Sequence, residues 1–345
     1  MTHDDAHKQH PIGSGFTASD TAQDVLAGID LTGRNVIVTG GHAGLGRETT
    51  RVLSRAGASV VVGARDPDRA AAGLEGIDGV AVARLDLLDP TSIEQFAARY
   101  RDAGRPVHIL VNNAGRAPGE LVRDARGYEA QFATNHLGHF QLTTALLPSL
   151  RDAHGARVVN VTSGAHRFSD ILWEDPHFHV TEYSPGLAYA QSKTANVLFA
   201  VELDRRWAAE GIRGYAAHPG VVVGTGLNSA AGEDAHRSQG LVDESGRPVI
   251  DPRHGKKTLQ QGASTIVFAA TSPLLADIGG VYLKDNDISP LDDAPRPMSS
   301  LEPPSEVMSH SIDPLSAHRL WDLSERLLAP PSAATRRRSE GSPRT

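Results

Sequence analysis

The sequence predicts an α/β protein: a doubly wound parallel sheet of about seven strands, with helices on both faces, folded as a single domain. Three observations carry that prediction. From residue 35 to about 285, short β-branched runs alternate with helix-like stretches. Six of the seven runs are nearly continuous apolar segments, as strands buried on both faces require. No Pro/Ser-rich linker and no internal repeat divides this region. A chain of 345 residues with 39% hydrophobic content is also long and apolar enough to bury a large core.

The elements follow in order. Asn35–Thr39 reads as the first strand, and the helix Leu45–Ala56 follows it. Ser59–Gly63 and Val80–Leu85 are the next strands, with the helix Thr91–Ala103 after them. Val107–Val111 and Arg157–Thr162 come fourth and fifth. The longest helix, Ala188–Glu210, leads into Arg213–Ala217. The last run, Gly280–Leu283, is too short to show a pattern. Two stretches break the rhythm: Gly164–Leu187, which carries Trp173, Phe178 and Tyr183, and the turn-rich Asn228–Lys257. Each follows a strand, where open α/β sheets bind ligands, so both are candidate walls of a substrate pocket.

Residues 1–34 form an N-terminal extension, 35–285 the catalytic domain, and 286–330 a C-terminal extension packing on the body. The latter begins with an irregular Pro-rich segment and ends with an amphipathic helix near Pro314–Leu328. The polar stretch Met1–His10 reads as a mobile tail, and 331–345, with Arg336, Arg337 and Arg338, as a disordered one. A net charge of −7, from 34 basic and 41 acidic residues, argues against a nucleic-acid partner. With no cysteine, disulfides, thiolate nucleophiles and cysteine-based metal sites are excluded. No apolar run reaches the ~18–20 residues of a membrane span. The N-terminus lacks a signal peptide's apolar core, and the expectation is a cytoplasmic protein.

The first strand runs into Gly40-Gly41-His42-Ala43-Gly44-Leu45-Gly46. Gly40 permits a tight turn; Gly44 and Gly46 permit close backbone approach and helix packing. The helix that opens there presents free N–H groups and a positive dipole end to a pyrophosphate. Strand, glycine turn and helix together read as a dinucleotide site. Further motifs stand at the ends of later elements. Asn112-Asn113-Ala114-Gly115 ends the fourth strand, and Asn135 sits in the helix Thr134-Asn135-His136-Leu137-Gly138. Ser163 closes Val159-Asn160-Val161-Thr162-Ser163, Tyr189-Ala190-Gln191-Ser192-Lys193 lies on a helix, and His218-Pro219-Gly220 follows the sixth strand.

The TGxxxGxG spacing and the five motifs in this order resemble the short-chain dehydrogenase/reductase family, in its single-domain subclass with a Rossmann fold. The resemblance covers about 35–285. The long interval from Ser163 to Tyr189, with Ser163-Gly-Ala-His166, is similar to the retinol-dehydrogenase-like and WW-domain-oxidoreductase-like branch. That likeness implies aldehydes and ketones on apolar skeletons. It also implies that Asp86 meets the adenine amino group with Leu87 packing beside it. By the same likeness Asn113, Ala114 and Gly115 line the cofactor, with Pro219, Gly220 and the backbone of Val222 at the nicotinamide. Relatives often carry a threonine four residues beyond the glycine of Pro-Gly; here that position is Gly224, and Thr225 is the candidate contact.

Members that use NAD commonly carry an acid where Ala64 stands, and here Arg65 comes next. A guanidinium matches a 2′-phosphate with charge-assisted bonds, so NADP(H) is the expected cofactor. The plainer reading has Arg65 cap a surface loop beside Asp66 and Asp68. His42 could add a contact.

Tyr189 and Lys193, at i and i+4, share one helix face. A phenol has a pKa of about 10. Lys193 is expected to lower it, and Tyr189 then gives a proton to a carbonyl oxygen or takes one from an alcohol. Ser163 holds the same oxygen as charge develops. The resemblance adds that Lys193 binds the nicotinamide ribose and that Asn135 anchors a water linking Lys193 to solvent. Thr162 either orients Ser163 or simply ends the strand. His166, His177 and His179, with Glu174, Asp175 and Glu182, have the residue types of a zinc site. The chemistry needs no metal, and none is expected. His136 and His139 read as packed or surface residues.

The expected function is NADP(H)-dependent interconversion of a small-molecule carbonyl and alcohol. Alternatives are a reductase of a polyketide, sugar or porphyrin-type substrate, or a cofactor-sensing protein without turnover. The resemblance implies a homodimer or homotetramer, paired through the helices carrying Asn135 and Tyr189.

Overall fold

Val36 and Val38 pack to one side of the first strand and Ile37 to the other, so that strand must lie between two apolar layers. The computed structural model describes residues 8–222, 236–237, 240–296 and 304–329. The strands are β1 Asn35–Thr39, β2 Ser59–Ala64, β3 Val80–Arg84, β4 Ile109–Asn112, β5 Ala156–Val161, β6 Ile212–His218, β7 Val221–Val222, β8 Lys256–Lys257, β9 Val281–Lys284 and β10 Asp287–Ile288. Eight of them form one sheet in the order β10-β9-β6-β5-β4-β1-β2-β3. All neighbours run parallel except β10, which folds back antiparallel on β9. The order reverses between β1 and β4, the crevice where such sheets bind ligands.

Helices cover both faces. α1 (Ala22–Val25), α2 (Gly44–Arg55), α3 (Pro67–Gly73) and α9 (Leu259–Thr271) contribute to one core layer. On the other lie α4 (Pro90–Asp102), α6 (Gly138–Ala145) and α8 (Pro185–Trp207). Short α5 (Ala130–Phe132) leads through a π-helical turn, Ala133–Leu137, into α6, and α7 (Leu147–Arg151) follows. α10 (Ser309–Ile312) and α11 (Pro314–Leu328) close the described chain.

The sheet differs from the expected one in several places. It has eight strands, because Asp285 and Asn286, both at positive φ, turn the chain back into β10. β3 is an edge strand and half exposed, so its apolar run is not buried on both faces. β7 and β8 pair separately, in parallel, and join the two ends of the long segment after β6. The longest helix starts earlier than predicted, at Pro185, where Ser184 accepts a bond from the Leu187 N–H and proline suits the first turn.

The expected mobile N-terminal tail is corrected from Lys8 onward. Gln9 is buried: its side-chain amide bonds the backbone of Tyr282 in both directions, at 2.9 Å each, and Ser289 O at 2.7 Å. Backbone N–H groups of Ile12, Gly13 and Ser14 then donate to the Asp287 carboxylate. The predicted tail 331–345 lies outside the described residues. α11 packs along α8, with Trp321 against Phe140, Phe199 and Trp207. No helix among the described residues is long and apolar enough to cross a membrane.

Candidate active site

A cleft of about 930 Å³ opens at the carboxyl ends of the strands. Gly40 holds φ +63°, a left-handed turn that a side chain would strain. Gly46 is needed for a different reason. A Cβ there would lie 2.5 Å from both Asn113 Nδ2 and Gly40 O. The two loops are stapled together. Asn113 Nδ2 donates to Thr39 O at 2.9 Å, and the N–H groups of Asn113 and Ala114 each donate to Thr39 Oγ1 at 2.9 Å.

α2 begins after Ala43 with no side-chain cap, so its first N–H groups are left for a ligand, and Ala43, Gly44, Leu45 and Gly46 all line the cleft. This uncapped helix end beside a glycine cradle fits a pyrophosphate. Farther along, Gly63, Ala64, Arg65, Asp86, Leu87 and Gly115 line the same cleft, and His42 with them. Arg65 is exposed and finds no ion-pair partner among the described residues. Arg69, in the first turn of α3, stands on the same rim. Burial lowers the His42 pKa, and the Arg69 charge lowers it further against Asp66. Its Nδ1 is buried without a partner.

At the other end stand Ser163, Tyr189, Lys193, Pro219, Gly220 and Val222. β5 delivers Ser163, whose side chain caps the 3-10 turn Gly164–Phe168 by accepting from Ala165 N at 3.2 Å. Ser163 lies beside Tyr189, and its hydroxyl favours the ionised phenol. Lys193 Nζ lies 5.4 Å from the Tyr189 ring centroid and donates to Val161 O at 3.1 Å. Burial pushes the phenol up to about 12, the neighbouring Ser163 hydroxyl only partly offsetting it. Burial likewise pulls the Lys193 ammonium down to about 8. The lowered phenol expected from Lys193 is therefore not found in the protein by itself: burial dominates, and the one opposing influence on Tyr189 is Ser163.

Asn135 is fully buried and stands behind the cleft wall, not on it. Its Oδ1 accepts from Arg116 N at 2.7 Å, and its Nδ2 donates to Ser192 Oγ at 2.9 Å, which ties the π-helical turn to α8. Its carbonyl meets His139 Nδ1 at 3.1 Å, and His139 Nε2 meets Thr39 Oγ1 at 2.9 Å. Burial takes His139 down to about 4, so it is a neutral bridge between the Asn135 turn and the glycine loop. Thr225 lies outside the described residues.

His136 is fully buried, 2.7 Å from Ser324 Oγ. The loop histidines do not converge. His166 Nδ1 meets Ser163 O at 2.8 Å, and His177 stacks on Tyr128 at 4.3 Å between centroids. Among the described residues no three His, Asp or Glu side chains are grouped to hold a metal ion. Sequence reading did not name Arg69, Phe168, Pro304 or Ser305, all of which line the cleft. Asp66-Pro67, a helix start, was a signal for Arg69; nothing local pointed to Pro304 and Ser305.

The family model described as short chain dehydrogenase matches residues 34–236. A Streptomyces antibioticus protein described as a probable oxidoreductase is 43% identical over 303 residues, 85% of this chain and 97% of that one. The WW domain-containing oxidoreductase of Homo sapiens is 34% identical, over 95% of this chain and 76% of its own length. Among solved structures, a Mycobacterium Paratuberculosis protein is 34% identical with a TM-score of 0.65, covering 90% of this chain and 97% of its own.

Proposed function

The chain belongs to the short-chain dehydrogenase/reductase family of oxidoreductases, and from that premise we propose that it interconverts a carbonyl and an alcohol using NADP(H), with Tyr189 as general acid/base. The observation that carries this reading is the convergence of Ser163, Tyr189 and Lys193 in the same cleft as the glycine cradle. The reduced nicotinamide, when bound, supplies the hydride. Tyr189 donates its phenolic proton to the carbonyl oxygen. Ser163 donates a hydrogen bond to the same oxygen while charge develops there. Lys193, charged below about pH 8, favours the phenolate left behind. Asn135 holds the Arg116 loop against α8, and the water relay to Lys193 belongs to this proposal.

Arg65, Arg69 and His42 on one rim favour a 2′-phosphate over a free hydroxyl. The substrate end, with Ala117, Pro118, Phe168 and Leu187, suits an apolar carbonyl compound. The face of α6 and α8 is covered by α11, so a dimer or tetramer would have to use other faces.

Titrating the purified protein with NADPH and, separately, NADH, read by nicotinamide fluorescence, tests the reading. NADPH should bind roughly 10- to 100-fold tighter, the worth of one charge-assisted contact set. Arg65→Ala should erase most of that margin. A preference for NADH would sink the phosphate argument and leave the fold intact. NADPH binding without turnover of any aldehyde or ketone would favour a cofactor-sensing role.

A further inference from the structure

The turn that carries Ser163 is pressed against a distant part of the chain. A Cβ on Gly164 would meet Pro304 O at 3.0 Å and Ser305 Cβ at 3.3 Å. Pro304 and Ser305 line the cleft with Ser163 and Tyr189. The Ser305 backbone is pinned: its carbonyl accepts from Tyr282 Oη at 2.8 Å, and its N–H donates to Glu306 Oε2 at 3.2 Å. Glu306 in turn takes the Lys284 ammonium at 2.7 Å. The Ser305 hydroxyl itself has no hydrogen-bond partner among the described residues.

Arg167, on the same turn as Ser163, is buried. Its Nη1 donates to the carbonyls of Asp292 and Glu306, both at 2.8 Å, and its Nη2 to that of Ala294 at 3.0 Å. One guanidinium thus ties the Ser163 turn to the chain both before and after residues 297–303. A buried guanidinium is costly unless its donors are used, and a planar fork is suited to several carbonyls at fixed positions. A second tie lies beside it, His310 Nε2 to His166 O at 3.1 Å.

We propose that Pro304 and Ser305 form the wall met by the substrate's substituent next to Ser163, with Ser305 a specificity-determining residue and Arg167 the positioning residue that holds the wall. The inference rests on the carbonyl chemistry proposed for this cleft. With the reacting oxygen at Ser163 and Tyr189, one substituent of the carbonyl carbon runs past Gly164, which lines the cleft beside Pro304 and Ser305. There it meets a wall whose distance from Ser163 is set by Arg167.

The test uses the full chain, NADPH, and straight-chain aldehydes from propanal to decanal. Ser305→Leu should lower the decanal-to-propanal ratio of kcat/KM by roughly 10-fold or more, through KM, as added bulk in a fitted pocket does. Arg167→Met should change the same ratio by a similar factor, and Arg167→Lys, lacking the fork, should not restore it. Loss that is equal for all chain lengths, or no change in the ratio, overturns the wall. NADPH titration run alongside separates damage to the cofactor site.

A second readout needs no turnover. The chain has no cysteine, so Ser305→Cys introduces its one thiol, which N-phenylmaleimide labels without background. Adding Arg167→Met should change the labelling rate by about 10-fold, the effect of losing a charged hydrogen-bond set on local opening. An unchanged rate overturns Arg167 as the holder of the wall. If the wild-type protein binds NADPH but reduces no aldehyde, the carbonyl-reductase reading fails and Ser305 loses its specificity role with it, while the labelling still decides whether Arg167 holds Pro304 and Ser305 in place.

Discussion

A methyl group placed on Gly46 would lie 2.5 Å from Asn113 Nδ2 and equally close to Gly40 O. Neither neighbour can yield freely. The Asn113 amide is fixed by its 2.9 Å bond to Thr39 O, and Gly40 O belongs to a turn held at φ +63°. Gly46→Ala therefore forces the glycine turn and α2 apart. The helix gains about 1 kcal/mol from losing a glycine. Overpacking costs about 1–3 kcal/mol. The strained Asn113–Thr39 bond costs about 1 kcal/mol more. The net is a loss of about 1–3 kcal/mol, a fall in Tm of several degrees. Cofactor binding should suffer more, because the displaced N–H groups are those proposed to meet the pyrophosphate. Losing one charge-assisted bond weakens NADPH roughly 10- to 100-fold. A thermal melt and an NADPH fluorescence titration read the two effects separately. Gly119→Ala, whose added Cβ meets nothing within 4 Å, is the control. A dissociation constant that stays within about twofold of wild type would refute the cradle reasoning, whatever happens to Tm.

Other outcomes follow from the same geometry. Tyr189→Phe removes the transferable proton and should cut turnover by about 10²–10⁴ while NADPH still binds; a retained steady-state rate would remove Tyr189 from the chemistry. Lys193 titrates at about 8, so the rate of reduction should fall as pH rises through that value and the charge favouring the phenolate is lost. A pH–rate profile of Lys193→Met should lack that limb, and its persistence would assign it to another group. Because the folded pKa of Lys193 lies below its ordinary 10.5, the unfolded chain binds the extra proton between about pH 8 and 10.5, and this group's contribution to stability rises with pH across that window. In denaturant melts, wild type should gain stability relative to Lys193→Met as pH rises from about 8 to 10.5, and an equal or opposite pH dependence would refute the linkage. Trp321 is 4% exposed among Phe140, Phe199 and Trp207, so Trp321→Ala should cost about 3–5 kcal/mol in urea melts. A loss under about 1 kcal/mol would mean that α11 is not part of the cooperative core.

The glycine-turn end of the cleft, proposed for the cofactor, was readable because its signals are local. Glycines at 40, 44 and 46 follow a strand and open a helix, and consecutive residues encode both the turn and the uncapped N–H groups. Ser163, Tyr189 and Lys193 were readable from the order of motifs along the chain and from the i, i+4 spacing that puts Tyr189 and Lys193 on one face of α8. The parallel sheet followed from apolar runs too continuous for a one-sided strand.

Other features depended on residues far apart in the chain. β3 has the apolar run of an inner strand, yet the order of the sheet puts it at the edge. Asn135 could be named from its motif, but only packing places it behind the wall, bonded to Arg116 and Ser192. His139 reads as an ordinary helix residue and becomes the bridge to Thr39 because α6 packs against the glycine loop. The directions at Tyr189 and Lys193 were set by desolvation, which no spacing of residues reports. Arg167 reaches Glu306 across 139 positions of sequence. The order of elements, the glycine turn and the candidate catalytic side chains could be read from the amino-acid order, since these rest on neighbouring residues and short-range sterics. Tertiary structure alone decided what closes the substrate end and how strongly each ionisable group is desolvated, since both depend on which distant surfaces exclude water from one another.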